Sequence, residues 1–330
     1  MATQIELPTT IHVESAVSSD LAAALVRIGV DKATIYATLG NIVSVAIGPL
    51  TVALIATKLS PDLQGYYYTF GSVANVQFIL EAGLSQTIIQ FVSHEWPGLM
   101  MNATGVFNGD EGSKLRLVRL GRLHFGWNMI SAVLLCVVLV GAGELLFPGG
   151  VLPPTEWRAP WIAFCLTVVM NFFISPTWAL LQGCNQVSEY WLFRMIQQLV
   201  NGATLCAALA AGAGLWSLSI AGGMNLIWAM LFLRTRYPDF HRNFLTTGAH
   251  APSWRTDIWP VQWRVALSWI ASYITTQLFA PIVFRLSGPV DAGRVGMTST
   301  IGLILLALST NPVVTKATTF GMLSASGRNK

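Results

Sequence analysis

The stretch from Lys58 to Trp96, KLSPDLQGYYYTFGSVANVQFILEAGLSQTIIQFVSHEW, constrains this chain more than any other. It opens on a polar turn, Ser60 to Gly65, passes three consecutive tyrosines, and then runs apolar with one carboxylate, Glu81, near its middle. A Pro-Asp turn does not continue a helix, and tyrosines gather where a chain re-enters a bilayer from the headgroup region. From about Tyr66 to Val92 the run is long enough to span hydrocarbon. Glu81 then lies well inside the membrane, where an unpaired charge costs several kcal/mol. Such a residue needs a protein partner or a wet cavity.

The rest of the composition agrees with a membrane setting. Charged residues make up 10% of the chain, against about 25% in a soluble domain. The twelve tryptophans lie mostly near the ends of apolar runs, in the manner of an aromatic belt. The net charge of +4 does not indicate nucleic acid, because the basic residues sit in short loops between apolar runs and read as topology signals. Cys136, Cys165, Cys184 and Cys206 fall in or beside apolar runs without metal-ligand spacing, so they are expected to be packing residues.

Residues 1–32 are polar, carry Glu6, Glu14 and Asp20, and lack the basic n-region of a signal peptide. Leu21 to Val30 reads as a short surface helix capped by Ser19-Asp20. Eight spans are expected after it: Thr34–Thr57, Tyr66–Val92, Phe125–Phe147, Pro160–Gly183, Met195–Ala213, Leu215–Leu233, Val265–Phe284 and Val295 to about Thr315. A long loop, Ser93 to His124, separates the second and third. The expected organisation is an all-α polytopic membrane protein. Its parts are a cytoplasmic segment (1–32), a six-helix lobe (33–234), a polar linker (235–264) and the first two helices of a second lobe (265–330).

Orientation follows from the loops. With the N-terminus inside, the inner segments hold Arg27, Lys32, Lys114, Arg116, Arg119, Arg122, Arg194, Arg234, Arg236, Arg242, Arg255, Arg264, Lys316, Arg328 and Lys330. The outer segments hold only Lys58, Arg158, Arg285 and Arg294. The positive-inside rule therefore predicts a cytoplasmic N-terminus.

KLSPDLQG after the first span also resembles RLSGPVDAG after the seventh, with Lys58/Arg285, Ser60/Ser287, Pro61/Pro289 and Gly65/Gly293 matched once Gly288 is inserted. The match suggests two halves of like orientation related by an axis along the membrane normal. On that expectation the second half stops two spans in.

LSPDLQGYYYTF, the following EAGLSQTIIQFVSHE and the later GCNQV (Gly183 to Val187) resemble bacterial O-antigen and polysaccharide flippases. These belong to the multidrug/oligosaccharidyl-lipid/polysaccharide exporter superfamily. The resemblance implies two six-helix lobes facing each other in a V in the cell inner membrane. It implies passage of an undecaprenyl-diphosphate-linked oligosaccharide to the outer leaflet, driven by H+ or Na+ coupling, in lipopolysaccharide biosynthesis. It also points to a polysaccharide polymerase and assembly proteins as partners; no cofactor is expected. About four of the implied spans are missing, which suggests a C-terminally truncated chain.

Candidate substrate or coupling residues are polar groups on apolar runs. Gln77, Glu81 and Ser85 recur at i, i+4 and i+8, which puts them on one face of a continuous helix. The functional reading is a coupling-cation or substrate contact, and the alternative is a protonated carboxyl hydrogen-bonding between helices; without a cation from another span, the Glu81 carboxyl is expected to be protonated. Arg194 and Asn201, with Gln198, share a face of the fifth span, and the guanidinium fork of Arg194 matches phosphate oxygens; an interfacial anchor is the alternative. Asn171, Ser175 and Trp178 flank Pro176 and read as interhelical hydrogen-bonding groups. Gln277 with Pro281, and Asn311-Pro312, mark expected helix breaks. Lys316 could attract a diphosphate or simply snorkel.

Two other function classes are weighed against transport. A membrane-embedded glycan-modifying enzyme needs a catalytic constellation, and none of the five histidines (His12, His94, His124, His241, His250) is expected inside a span. A cation-coupled drug exporter of the same superfamily is the nearer rival, and the LSPDLQGYYYTF stretch speaks against it.

Overall fold

A computed structural model describes residues 32–148, 150–245 and 259–315. The expected surface helix at Leu21–Val30 and Lys316 lie outside the described residues. Long helices dominate, and the protein is all-α apart from one small hairpin. In chain order the helices are α1 (Lys32–Lys58), α2 (Pro61–Ala74), α3 (Gln77–Glu81), α4 (Leu84–Glu95), α5 (Glu111–Leu146), α6 (Pro154–Gly183), α7 (Val187–Ala210), α8 (Trp216–Arg236), α9 (Trp259–Thr276), α10 (Phe279–Ser287) and α11 (Pro289–Thr315). Among the described residues, five segments are long and apolar enough to cross a membrane: α1, α5, α6, α8 and the α9–α10 stretch from Gln262 to Ser287. α7 and α11 have spanning length but carry more polar residues.

The hairpin pairs β1 (Leu99–Met101) with β2 (Phe107–Gly109), antiparallel, Met100 opposite Asn108. It occupies part of what the sequence predicts as a loop to His124. The remainder of that loop is helix. Asp110 caps α5, its carboxylate accepting from the Ser113 amide at 2.7 Å. The 36 residues of α5 extend about 54 Å at 1.5 Å per residue, well beyond the hydrocarbon. The early turns are stabilised by burial of Leu117, Val118 and Leu120. His124 is therefore not a loop residue: it lies within α5, 1% exposed.

The second expected span is not one helix. Ser60 caps α2 and Pro61 occupies its first turn, where a missing N–H costs nothing. The polar turn is thus shorter than the sequence suggests. After α2 the chain loosens at Asn75-Val76, forms the single turn α3, and breaks at Ala82 (φ 52°) and Gly83 (φ 67°), both left-handed. A side chain at Gly83 would run into Val265 of α9, so the break is held by packing as well as by glycine's freedom. In α6, Pro176 leaves the Phe172 carbonyl without its helical donor, and Asn128 of α5 supplies one at 2.7 Å. The helix runs on unbroken. α11 likewise continues through Asn311-Pro312 to Thr315, so the expected break there is absent. The break at Gln277-Leu278, between α9 and α10, is present.

Helix pairs meet in two senses. α1 runs parallel to α7, Ser44 meeting Gln198 and Thr51 meeting Cys206. α2 runs parallel to α11, with Gly65 against Gly293 and Tyr68 against Gly296. α6 is antiparallel to α5, where Asn128 meets Phe172 and Gly143 meets Trp161. Two aromatic clusters close the bundle. At the Lys58 end Tyr66, Phe147 and Phe284 meet at 4.8–5.4 Å between ring centres, beside Trp157 and Trp161. At the hairpin end Phe107 meets Phe240 and Phe244 at 5.6 and 5.9 Å, edge to face. A short 3-10 turn, Phe240–Phe244, forms a clasp there. Asn243 donates to the Gly105 carbonyl and accepts from the Phe107 amide, while Arg122 donates to the Phe244 carbonyl.

Candidate functional site

The break in the second span places its polar residues. Because α3 ends at Glu81, the carboxylate sits at a helix terminus rather than in a regular ladder. The freed Leu80 carbonyl accepts from the Trp127 indole at 3.4 Å, and Ser85 lies across the turn from Glu81, near enough to its carboxyl to interact with it. Gln77 and Glu81 share the wall of a cavity of about 610 Å³.

Other helices complete that wall. α6 contributes Asn171, Ser175 and Trp178, α7 contributes Arg194 and Asn201, and α8 contributes Asn225. Arg194 donates to the Gln197 amide oxygen at 2.7 Å and forms no ion pair among the described residues. Tyr190, one turn before it, lies within electrostatic range of both Arg194 and Glu81. Asn171 donates to the carbonyls of Thr167 and Gly222, and Asn225 donates to Asn201 at 3.0 Å. The Asn225 carbonyl oxygen and the Ser175 hydroxyl are buried with no protein partner among the described residues. Polar atoms left so cost free energy unless something else meets them.

A second cavity of about 450 Å³ adjoins the first toward the Lys58 end. The two share Asn75, Gln198 and Asn201 in their walls. Ser44 of α1 donates to Gln198 at 2.7 Å. Asn75 donates to the side-chain oxygen of Gln277 at 3.0 Å. Both partners of that bond stand in helix breaks, one on the second span and one on the seventh.

Of the residues singled out from sequence, Gln77, Glu81, Arg194 and Asn201 come together on one cavity and Gln277 on its neighbour, while Ser85 acts through Glu81. The i, i+4, i+8 argument for Ser85 fails, since a left-handed pair intervenes; Ser85 reaches Glu81 across that turn instead. Asn171, Ser175 and Trp178 line the cavity, and of the three Asn171 bonds between helices as expected. Asn75, Gln197, Asn225, Tyr67 and Tyr68 line the cavities without having been singled out. A search for every amide inside an apolar run would have found Asn75 and Asn225.

Comparison with family models, curated proteins and solved structures returns no match. The fold and the apolar helices by themselves define the class: an all-α, multi-pass membrane protein with a polar cleft inside its helix bundle.

Proposed function

We propose that this protein is a transporter of the cytoplasmic (inner) membrane, N-terminus inside, that moves a lipid-linked oligosaccharide of the undecaprenyl-diphosphate type outward by alternating access. One observation carries the reading. A guanidinium without a carboxylate partner among the described residues and an intramembrane carboxyl face the same amide-lined cleft, Arg194 and Glu81. Ionisable groups inside a membrane bundle mark pathways, and a planar fork suits a diphosphate. The resemblance of LSPDLQGYYYTF and GCNQV to polysaccharide flippases supports the substrate class. Interrupted helices at the cleft, in α3–α4 and α9–α10, support a rocking motion about it.

The test is reconstitution of the full chain in liposomes holding a fluorescent citronellyl-diphosphate-linked N-acetylhexosamine, with an impermeant quencher outside. Protein-dependent transfer between leaflets is expected. A rate equal to that of protein-free liposomes, with the protein folded and inserted, overturns the proposal.

A further inference from the structure

The cleft is chemically uneven along its length. Glu81 and Arg194 are confined to the 610 Å³ chamber. The 450 Å³ chamber, nearer the Lys58 end, has no carboxylate, ammonium, guanidinium or imidazole in its wall among the described residues. Its polar surface is made of hydroxyls such as Thr51 and Thr300, the amides Asn75, Gln198, Asn201 and Gln277, and the phenols Tyr67 and Tyr68. The Tyr68 hydroxyl is buried without a protein partner among the described residues, its residue 9% exposed. The Thr51 hydroxyl lies 3.6 Å from the Cys206 sulfur, a weak contact.

An anion entering this second chamber would lose its hydration and find no countercharge, which is strongly unfavourable at low dielectric. A neutral polyhydroxylated group fits it. Each sugar hydroxyl is donor and acceptor at once, as amides and hydroxyls are between them. The C–H faces of a pyranose ring can pack on the two tyrosine rings, which stand 5.5 Å apart at 84°.

We infer that the uncharged chamber is a glycan subsite: it receives the neutral sugar head of the substrate while Arg194, in the charged chamber, holds the diphosphate. The inference rests on the proposed transport reading and adds the polarity of the bound substrate. The sugar points to the Lys58 end and the phosphates to the hairpin end. The two chambers meet at Asn75, Gln198 and Asn201, where the sugar–phosphate junction would pass.

Calorimetric titration of the purified full chain in detergent tests this with two probes, citronellyl diphosphate and the same molecule carrying one N-acetylhexosamine. The glycosylated probe should bind about tenfold more tightly, as expected for one added well-formed polar contact set worth about 1.4 kcal/mol. Tyr68→Phe and Thr300→Val, each keeping its shape, should remove that advantage and leave the bare diphosphate's affinity unchanged. Arg194→Gln should weaken both probes. Equal affinity for the two probes, or equal weakening of both by Tyr68→Phe and Thr300→Val in proteins of wild-type melting temperature, overturns the subsite. Failure of both probes to bind the wild type instead overturns the transport reading from which the subsite descends, and binding of the bare diphosphate alone overturns the subsite.

Discussion

Gly293 stands against Gly65. A Cβ on Gly293 would lie 3.1 Å from the Gly65 nitrogen, and a Cβ on Gly65 would collide with the Pro289 carbonyl. Each glycine is the fifth residue of a helix that begins with proline, α2 at Pro61 and α11 at Pro289. Three residues further on, Tyr68 packs against Gly296 in the same register. Segments matched in sequence thus touch at matched positions, which is the contact a two-fold axis between them would generate. Both turns necessarily emerge at the same end of the bundle.

Gly65→Ala should therefore be disruptive. The obstacle is backbone, not the end of a flexible side chain, so α2 and α11 must separate. Overpacking of this kind costs about 1–3 kcal/mol. Gly141→Ala in α5 is the control, since nothing lies within 4 Å of its Cβ position. The melting temperature of the detergent-solubilised protein should fall for Gly65→Ala and hold or rise for Gly141→Ala. Equal behaviour would mean that the helices are not in contact there.

Topology can be checked by cysteine labelling in a variant lacking Cys136, Cys165, Cys184 and Cys206. Gly150 is a poor site, because a side chain there would strike the Tyr66 hydroxyl. Asp110 is equally poor, being the α5 cap. Val151, 70% exposed, and Asn108, exposed on β2, are better. With the expected orientation, Val151→Cys reacts with an impermeant maleimide in intact cells and Asn108→Cys only after lysis. The reverse pattern would invert the orientation read from the basic residues.

Much of this fold is legible in the sequence, because a long apolar run without charge has few alternatives to a spanning helix. α1, α6 and α8 follow from that alone. What escaped reading depends on packing across the chain. Gly83 is a local hint, but a lone glycine is also tolerated inside an apolar helix and Ala82 favours helix; the close approach of Val265 helps to fix the break. The basic stretch from Lys114 to Arg122 looks like loop because its charges mask a buried face, Leu117, Val118 and Leu120. Asn311-Pro312 looks like a break, yet the helix continues through it to Thr315; proline's φ suits a helix, and its cost there is one lost hydrogen bond and crowding of the preceding turn. The candidate site was legible as separate polar pairs, and only tertiary structure shows that they share a cleft.

The Asn75–Gln277 hydrogen bond joins the break of the second span to that of the seventh. A net contribution of about 0.5–1.5 kcal/mol is expected for such a bond. If it holds the present closure between α2 and α9–α10, Gln277→Leu should favour opening. Double electron–electron resonance between labels on the exposed residues Gln86 and Leu267 should show a broader, longer distance distribution. An unchanged distribution would leave the bond a purely local contact.

The clasp at Phe240–Phe244 makes a pH prediction. His241 stays partly exposed, but it packs against Phe125 and Phe240 and bonds to the Thr177 hydroxyl at 3.1 Å, and the desolvation of its packed side lowers its proton affinity below that of a free imidazole. Its charged neighbours Asp239 and Arg242 pair with each other. With the folded pKa depressed, the unfolded clasp binds the proton more readily. Stability is thus fully present above the free imidazole value of about 6.5 and is lost as pH falls below it. Hydrogen exchange at residues 237–245 should quicken between pH 7 and 5, and His241→Phe should flatten the change. A pH-independent exchange rate in the wild type would remove the titration from the clasp.

Glu81 carries the most consequential prediction. Its carboxyl ends a five-residue helix, has Ser85 close by across the turn, and faces the chamber that also receives Arg194. Lipid offers no partner at that depth, so the group is retained against a standing cost. Glu81→Gln preserves size and the capacity to hydrogen-bond while abolishing exchange of a proton or pairing with a cation. The variant should fold with an unchanged melting temperature. In liposomes it should still bind the diphosphate probe through Arg194 but lose any acceleration of transport by an imposed H+ or Na+ gradient, with a loss of at least about tenfold. Asn75 and Asn225, which share the cleft without an ionisable group, serve as comparison sites: Asn225→Ala should slow transport with the gradient response intact. Gradient-driven transport by a well-folded Glu81→Gln at the wild-type rate would remove the coupling role and leave the carboxyl as a structural hydrogen-bonding group at the Ala82-Gly83 break.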